Sequence, residues 1–193
     1  RASQGPPALL SLIMSTPPLP LPGVLLLCID LQPVFIKAVP DRERLVQRCS
    51  FAIEAAAGLG IPVAFTEQMP LKLGGTAPEL LKLATSAPVY AKNSFTAFAD
   101  DGIADTLRTR DIEHIILCGL ETSVCVYQTA LGALAADMQV TVLTDAVGAR
   151  RPEDAAACMT ALARSGVHLL PGETVFYSLL HDAGHPFFKD FTK

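Results

Sequence analysis

Cys125 combines a nucleophilic side chain with a position between a strand pattern and a helix pattern. It follows the apolar run 115–118 and lies at the start of the helix-patterned run 124–137. A helix N-terminus supplies partial positive charge and free backbone N–H groups, and both favour a thiolate. We therefore expect a lowered pKa for this thiol, which makes it the best candidate nucleophile in the chain.

Two more polar residues stand where apolar strand patterns end. Asp30 follows residues 24–29, and Lys92 follows residues 88–91. The carboxyl ends of parallel strands share one edge of a sheet and bind ligands there, so both side chains are predicted to meet Cys125. Asp30 would accept the thiol proton as general base, and Lys92 would stabilise negative charge. Cys125 would then attack an electrophilic carbon and form a covalent intermediate.

Each of these three residues has an ordinary alternative when taken alone. An aspartate that ends a strand is usually a loop or cap residue, a lone lysine there is usually solvated, and a cysteine at such a turn is often structural. Their predicted meeting at one edge is what favours chemistry.

The elements that must position these residues alternate between strand and helix. Such alternation predicts an α/β fold, a three-layer α/β/α doubly wound and mostly parallel sheet of about six strands, Rossmann-like in arrangement. The predicted strands cover residues 24–29, 61–66, 88–91, 113–118, 139–144 and 167–169. The predicted helices cover residues 41–58, 102–108, 124–137, 152–165 and 172–182, the first capped by Asp41. Residues 67–78 are predicted to be a loop long enough to cover a substrate.

The start of the chain differs in composition from the rest. Residues 1–22 join a short apolar patch to a proline-rich run, which predicts an extended arm, with residues 1–13 an added extension if Met14 is the natural start. The patch is a poor secretory signal and is too short to cross a bilayer, so no membrane association is expected. Residues 23–193 are predicted to form a single domain.

Charge and cysteine content narrow the partners and the location. The formal net charge is -4 and no Lys/Arg cluster is present, so we expect no nucleic-acid partner. An odd number of cysteines without a C-x-x-C pair predicts neither a zinc knuckle nor a disulfide framework. This usage is typical of a reducing, cytoplasmic compartment. The five cysteines are Cys28, Cys49, Cys118, Cys125 and Cys158.

Five side chains near the three polar residues could line a pocket. Packing is an equally good interpretation for Phe35 and Phe95, and Tyr127 could instead face a neighbouring helix. A small-molecule substrate is the expected partner of such a pocket. The five residues are Gln32, Phe35, Gln68, Phe95 and Tyr127.

Three motifs surround the candidate residues, namely Asp30-Leu-Gln32, Lys92-Asn-Ser-Phe-Thr-Ala-Phe98 and Gly119-x-x-Thr122-x-x-Cys125-Val. Together they resemble the isochorismatase-like cysteine hydrolases, which include nicotinamidases and N-carbamoylsarcosine amidohydrolase. The resemblance spans about residues 24–185. Thr66-Glu-Gln, residues 74–80 and His185-Pro-x-Phe-Lys189 are closer still to the subgroup of isochorismatase domain-containing proteins.

The resemblance implies a catalytic triad of Asp30, Lys92 and Cys125. It implies a cis peptide bond between Leu120 and Glu121, and an oxyanion hole made by the backbone amides of Glu121 and Cys125. Several members of the family assemble as dimers or larger, so a homo-oligomer is also expected.

The chain departs from two branches of that family. Metal-dependent nicotinamidases carry Asp-x-His after the second strand, whereas this chain has Glu67-Gln-Met-Pro and no histidine before His114, so we expect no metal and no cofactor. True isochorismatases lack the nucleophilic cysteine, so Cys125 argues against vinyl-ether cleavage. The remaining hypothesis is hydrolysis of a C–N bond in a small amide, carbamoyl or ureido compound through a thioester at Cys125. His114 and His168 are expected to be ordinary surface or edge residues.

Other classes of function stay open from the sequence. A non-catalytic binding or scaffold protein could retain the hydrolase fold and the three residues. A redox-sensing thiol at Cys125 would need a resolving partner, and the nearest one, Cys118, is expected to be buried. A dinucleotide enzyme is disfavoured because Asp30-Leu-Gln-Pro replaces the required glycine-rich turn.

Overall fold

The computed structural model of the chain describes residues 23–109 and 111–192. Their strands form one all-parallel sheet in the order β3-β2-β1-β4-β5-β6, so the chain winds outward from β1 in one direction and from β4 in the other. The three-layer, doubly wound prediction is confirmed. The strands are β1 Val24–Ile29, β2 Val63–Gln68, β3 Val89–Lys92, β4 His114–Leu120, β5 Gln139–Gly148 and β6 His168–Leu170.

Helices cover both faces of this sheet. The α-helices are α1 Pro33–Ile36, α2 Arg42–Gly58, α3 Pro70–Leu73, α4 Pro78–Leu81, α5 Asp101–Thr109, α6 Tyr127–Ala135, α7 Pro152–Arg164, α8 Gly172–Leu180 and α9 Phe188–Phe191. Two 3₁₀ turns, Lys82–Ala84 and Ala97–Ala99, and a π-helical turn, Thr122–Val126, complete the elements. Helices α2, α4 and α8 pack on one face, and α5, α6 and α7 pack on the other.

Strand β1 shows why its sequence is apolar at every position. Leu26 and Cys28 enter the core under α2, whereas Leu25, Leu27 and Ile29 enter the core under α6. A strand that is covered on both faces has no polar side, so it reads as a continuous apolar run. Its predicted bounds agree with the structure.

Gly119 allows β1 and β4 to approach each other at the edge where the polar residues lie. Its φ is +112°, and a Cβ at this position would lie 2.1 Å from the carbonyl oxygen of Ile29. Only glycine fits that conformation and that contact without displacing the strand.

Several predicted bounds were wrong in informative ways. The expected loop 67–78 contains the end of β2, helix α3 and the first residue of α4. The expected helix 124–137 begins earlier, as the π-helical turn, and ends at Ala135. Asp41 precedes α2, but its side chain makes no capping hydrogen bond. Strand β5 runs four residues beyond its predicted end because its tail pairs with Gly119 and Leu120 after a register shift in β4.

His114 is more than an ordinary surface residue. Its Nε2 lies 2.8 Å from Thr141 Oγ1, and its ring stacks on that of His168 with 6.4 Å between centroids. Burial of the ring, together with the charge of His168, lowers the pKa of His114 from its ordinary value. The pair lies at the amino ends of β4 and β6, at the far edge of the sheet from Asp30.

The proline-rich arm predicted for residues 1–22 lies outside the described residues, so the division of the chain at Gly23 stays a prediction. Within the residues that the structure describes, no helix has both the length and the apolar character needed to cross a membrane.

Candidate active site

The carboxyl edge of the sheet brings the three candidate residues together. Asp30 directly follows β1, Lys92 is the last residue of β3, and Cys125 lies in the π-helical turn after β4. These elements are joined through neighbouring parallel strands, which is why residues 95 positions apart in sequence reach one place.

Lys92 and Asp30 form a buried ion pair. Lys92 Nζ lies 2.7 Å from Asp30 Oδ2, and the two side chains are 0% and 1% exposed. Ions are rarely buried unless they are paired, because water stabilises each of them far better than an apolar interior does. The two charges therefore hold each other in place beneath the surface.

All three ammonium protons of Lys92 have acceptors. Besides Asp30 Oδ2, Nζ donates to Gln68 Oε1 at 2.6 Å and to the carbonyl oxygen of Ser94 at 3.2 Å. One acceptor is charged and two are neutral, so a single carboxylate opposes the positive charge of the Lys92 ammonium.

The second oxygen of Asp30 is also held by the protein. Thr66 Oγ1 donates to Asp30 Oδ1 at 2.8 Å, and the backbone N–H of Asp30 donates to the carbonyl oxygen of Thr66 at 3.1 Å. Thr66 is on β2, in register with Ile29 of β1. These contacts fix the direction of the carboxylate before any substrate arrives.

The Cys125 thiol is in contact with this ion pair, and its pKa is the opposite of the prediction. Burial, followed by the negative charge of Asp30, raises the pKa of Cys125 to about 12, and the charge of Lys92 offsets this only in part. The expectation of a lowered pKa was wrong because it counted the helical N-terminus and not the carboxylate or the burial. The resting group is thus a neutral thiol beside a carboxylate.

That arrangement suits a nucleophile activated by a base rather than one kept ionised. A neutral thiol loses its proton as it attacks, and the carboxylate beside it can accept that proton. The transfer moves the negative charge from Asp30 to the sulfur of Cys125, so the total charge that faces Lys92 is unchanged.

The backbone after β4 has the form that the resemblance implied. The peptide bond between Leu120 and Glu121 is cis. The carbonyl oxygen of Glu121 accepts from the N–H groups of Val124 and Val126 at 3.0 and 3.2 Å. The carboxylate of Glu121 accepts from Arg150, at 3.1 Å from its backbone N and at 2.9 Å from Nε. Among the described residues, no backbone or side-chain group accepts from the Glu121 amide.

Two of the residues predicted to line a pocket use their amides within the protein. Gln32 Oε1 accepts from the Gln68 N–H at 2.7 Å, and its Nε2 donates to the carbonyl oxygens of Gln68 and Gly74. Gln68 Nε2 donates to the carbonyl oxygen of Asn93 at 2.8 Å. Both side chains are buried.

The three aromatic residues in that prediction lie in different surroundings. Phe35 packs against the core under α2, and Tyr127 packs against the core under α6. Phe95 is 53% exposed. A role in substrate binding stays a prediction for all five.

An open cavity of about 270 Å³ lies beside Lys92 at the end of β3, but neither Asp30 nor Cys125 is among its lining residues, and the side chain of Lys92 is buried. Lys92 contributes to it, and most of the remaining wall comes from the turn after β2 and from α3, elements that sequence patterns assigned to a loop. The lining residues are Met69, Pro70, Leu71, Lys72, Ala91, Lys92 and Asn93.

Sequence reasoning missed Thr66 and the carbonyl of Ser94 as partners of the ion pair. Thr66 carried one signal, since a polar residue inside an apolar strand needs a buried partner. Ser94 acts through its backbone, which leaves no signal in residue type.

The other cysteines do not join this site. Cys118 donates to Cys28 Sγ at 3.5 Å in the core under α2, whereas Cys125 belongs to the core on the opposite face of the sheet. Burial raises the pKa of Cys28 well above its ordinary value. In the part of the chain that the structure describes, no three His, Cys, Asp or Glu side chains are grouped so as to hold a metal ion.

Comparisons with known proteins agree with this architecture. The family model of the Isochorismatase domain matches residues 24–174. Isochorismatase domain-containing protein 2 of Xenopus laevis is 36% identical over 171 residues, which cover 89% of this chain and 82% of that protein. Isochorismatase domain-containing protein 1 of Danio rerio is 31% identical over 163 residues, which cover 84% of this chain and 57% of that protein.

Two solved structures share the fold over most of its length. A structure described as the MAR1 ribonuclease of Caenorhabditis elegans superposes with a TM-score of 0.83 at 30% identity, covering 88% of each chain. The YcaC gene product of Escherichia coli, described as an octameric hydrolase of unknown specificity, superposes with a TM-score of 0.80 at 20% identity. That alignment covers 92% of this chain and 95% of the other.

Proposed function

Because the chain belongs to the isochorismatase family of hydrolases, we propose that it is a metal-independent cysteine hydrolase acting on a C–N bond. Its substrate would be a small amide, carbamoyl or ureido compound. The observation that carries this proposal is the contact of the Cys125 thiol with a buried carboxylate that a lysine holds in place.

The reaction would proceed in two halves. Cys125 Sγ attacks the carbonyl carbon while its proton passes to the Asp30 carboxylate, and a tetrahedral oxyanion forms. Asp30 then returns the proton to the departing nitrogen as the C–N bond breaks, leaving a thioester on Cys125. Water, deprotonated by Asp30, attacks the thioester and releases the acid product, with the proton returning to Cys125 Sγ.

Lys92 and the backbone would stabilise the charges that appear on this path. The Lys92 ammonium keeps Asp30 oriented and balances negative charge near the sulfur. The amides of Glu121 and Cys125 would donate to the oxyanion, and the lack of an acceptor for the Glu121 amide among the described residues supports that role.

The wider setting follows the same proposal. Residues 23–193 would act as one catalytic domain preceded by the arm 1–22, in the cytoplasm and as a homo-oligomer. The five free cysteines of this chain support the cytoplasmic location, and the octameric assembly named for the E. coli relative supports the homo-oligomer. Light scattering at several protein concentrations would test the assembly, and a single monomeric mass at every concentration would exclude it.

Ammonia release from a panel of small amides, carbamoyl compounds and ureido compounds tests the activity. Cys125→Ala should abolish release, whereas Cys158→Ala should retain it, because Cys158 is a half-buried thiol on α7 that is not among the groups acting on the Cys125 thiol. Rapid acid quenching should trap an acyl group on the Cys125 peptide, detectable by mass. Release that persists in Cys125→Ala would contradict the proposal.

One observation favours a non-catalytic binding protein instead. Cys125 is only 7% exposed, and its raised pKa keeps it as a thiol at rest. Three results together would favour a binding function. No panel compound would be hydrolysed, no acyl adduct would form on Cys125, and calorimetry would show binding of a panel compound that Cys125→Ala retains.

The C. elegans relative is described as a ribonuclease, so RNA cleavage is a further activity to assay. RNA cleavage would require the chain to hold a polyanion, and the net charge of -4 does not favour this. Cleavage of a labelled RNA that Cys125→Ala abolishes would replace the C–N hydrolase proposal.

A further inference from the structure

The side-chain amide of Gln68 lies between the two strands that supply the ion pair. In the sheet order β3-β2-β1, strand β2 separates Lys92 from Asp30, and Gln68 is the last residue of β2. The register places Gln68 opposite Lys92. Residues opposite each other on parallel strands point to the same face of a sheet, so the two side chains meet above β2.

The contacts of Gln68 fix which way its amide points. Oε1 accepts from Lys92 Nζ at 2.6 Å, and Nε2 donates to the carbonyl oxygen of Asn93 at 2.8 Å. The reversed amide would set two donors against each other at Lys92 and two acceptors against each other at Asn93. Only one orientation satisfies both neighbours.

Gln32 holds the backbone of Gln68 in the same way that a strand would. Its amide accepts from the N–H of Gln68 and donates to the carbonyl oxygen of Gln68, the two groups that a paired strand normally satisfies. The same Nε2 also reaches the carbonyl oxygen of Gly74. Gln68 is thus fixed at both its backbone and its side chain.

We infer that Gln68 is a positioning residue, which holds the Lys92 ammonium against Asp30 with a neutral acceptor. A neutral oxygen orients the ammonium without cancelling its charge, so the charge stays available to Asp30 and to the sulfur of Cys125. A carboxylate at this place would oppose that charge, and an apolar side chain would leave one ammonium proton without an acceptor. The inference rests on the proposed function, because it assigns Gln68 a task within the same three-residue site.

Alkylation of Cys125 by iodoacetamide tests the role without a known substrate. The rate is measured at a series of pH values from about 7 to about 10, and the adduct is located by peptide mass. Below the pKa of the thiol, the rate falls about tenfold for each unit by which that pKa rises. Gln68→Glu should slow alkylation about tenfold at each pH, and Gln68→Met should slow it several-fold.

Gln139→Glu is the matched control for the added charge. Gln139 is exposed at the amino end of β5, at the opposite edge of the sheet, so this variant should alkylate at the parent's rate. Circular dichroism and the thermal midpoint of each variant establish that it is folded.

A double-variant cycle separates positioning from a merely structural role. In the background of Lys92→Met, the change Gln68→Met should have no further effect on alkylation, because its target is gone. Equal slowing in both backgrounds would overturn the inference. If Lys92→Met is unfolded, the comparison of Gln68→Glu with Gln139→Glu decides alone, and a folded Gln68→Glu within about twofold of the parent overturns it.

The same data keep the two proposals apart. If Asp30→Asn and Lys92→Met leave the alkylation of Cys125 unchanged, the three residues do not act together, and the proposed function fails with the inference. If those variants change the rate while the Gln68 variants do not, only the inference fails.

Discussion

Lys92 Nζ lies 2.7 Å from Asp30 Oδ2 although β3 and β1, the strands beside these residues, are not neighbours in the sheet. The lysine crosses β2 to reach the carboxylate, and β2 contributes a contact to each partner. Gln68 accepts from the ammonium, and Thr66 donates to the carboxylate. The geometry of the ion pair therefore depends on the alignment of three strands, β1, β2 and β3.

Removing one partner of this ion pair should cost more stability than removing both. Lys92→Met leaves the Asp30 carboxylate buried without its cation, and we expect it to lower the free energy of unfolding by about 3–5 kcal/mol. The double variant Asp30→Asn/Lys92→Met should recover much of that loss, because no charge remains buried. Urea unfolding measures both values.

Lys82→Met is the control for the loss of a lysine. Lys82 lies in the 3₁₀ turn away from the ion pair and is accessible to solvent, so this change should shift the free energy of unfolding by no more than about 0.5 kcal/mol. A double variant as unstable as Lys92→Met alone would show that the pair does not act as a pair.

Asp30→Asn should make Cys125 easier to alkylate and unable to catalyse. The negative charge of Asp30 raises the pKa of Cys125, and its effect exceeds the opposing effect of Lys92, so removing it lowers that pKa even if Lys92 then loses its own charge. The alkylation rate at about pH 9 should rise about tenfold for each unit of that fall. Hydrolysis should fall by about 10²–10⁴, because an amide cannot accept the thiol proton.

Faster alkylation together with slower hydrolysis distinguishes the loss of the Asp30 charge from a general disturbance of the site. A structural disturbance that hinders access to Cys125 would lower alkylation and hydrolysis together. Slower alkylation in a folded Asp30→Asn variant would show that the carboxylate does not act on the thiol as the structure indicates.

The sequence predicted the sheet and the meeting of Asp30, Lys92 and Cys125, because both depend on patterns of apolar and polar residues that can be read along the chain. A strand that is buried on two faces must be apolar throughout, which located β1 from Val24 to Ile29. Polar residues that follow such strands must lie at the carboxyl edge.

The charge state of Cys125 could not be predicted in that way. The helix pattern of residues 124–137 shows neither the depth of the sulfur nor the carboxylate beside it. The contact of Lys92 with Gln68 was missed for a related reason, because it depends on the register between β2 and β3. Register is set by the packing of whole strands, and no local motif records it.

Gly119→Ala should disturb the carboxyl edge through β1 and β4. The added Cβ would lie 2.1 Å from the carbonyl oxygen of Ile29, at a φ that disfavours alanine. We expect a loss of about 3 kcal/mol or more in the free energy of unfolding, since overpacking and backbone strain add. Urea unfolding of the purified variant measures it.

Gly166→Ala separates the two contributions at Gly119. Gly166 has φ +94°, but no atom lies within 4 Å of the place that a Cβ would occupy there, so only strain applies. Its cost should be about 1–2 kcal/mol. Equal costs for the two variants would mean that β1 yields at the contact.

His114 should make the protein less stable as the pH falls below neutrality. Its pKa in the folded state is below the ordinary value of 6.5, because the ring is half-buried and faces His168. Well above pH 6.5 the ring is neutral in both states and has no effect on the pH dependence. As the pH falls through 6.5 toward the folded pKa, the unfolded state binds the proton first, and stability is lost.

His114→Gln should flatten the slope of unfolding free energy between about pH 7 and about pH 5, and His168→Gln should flatten it less, because burial is the larger cause. His181→Gln changes an exposed ring and should leave the slope as in the parent, so equal slopes in all four proteins would contradict this origin.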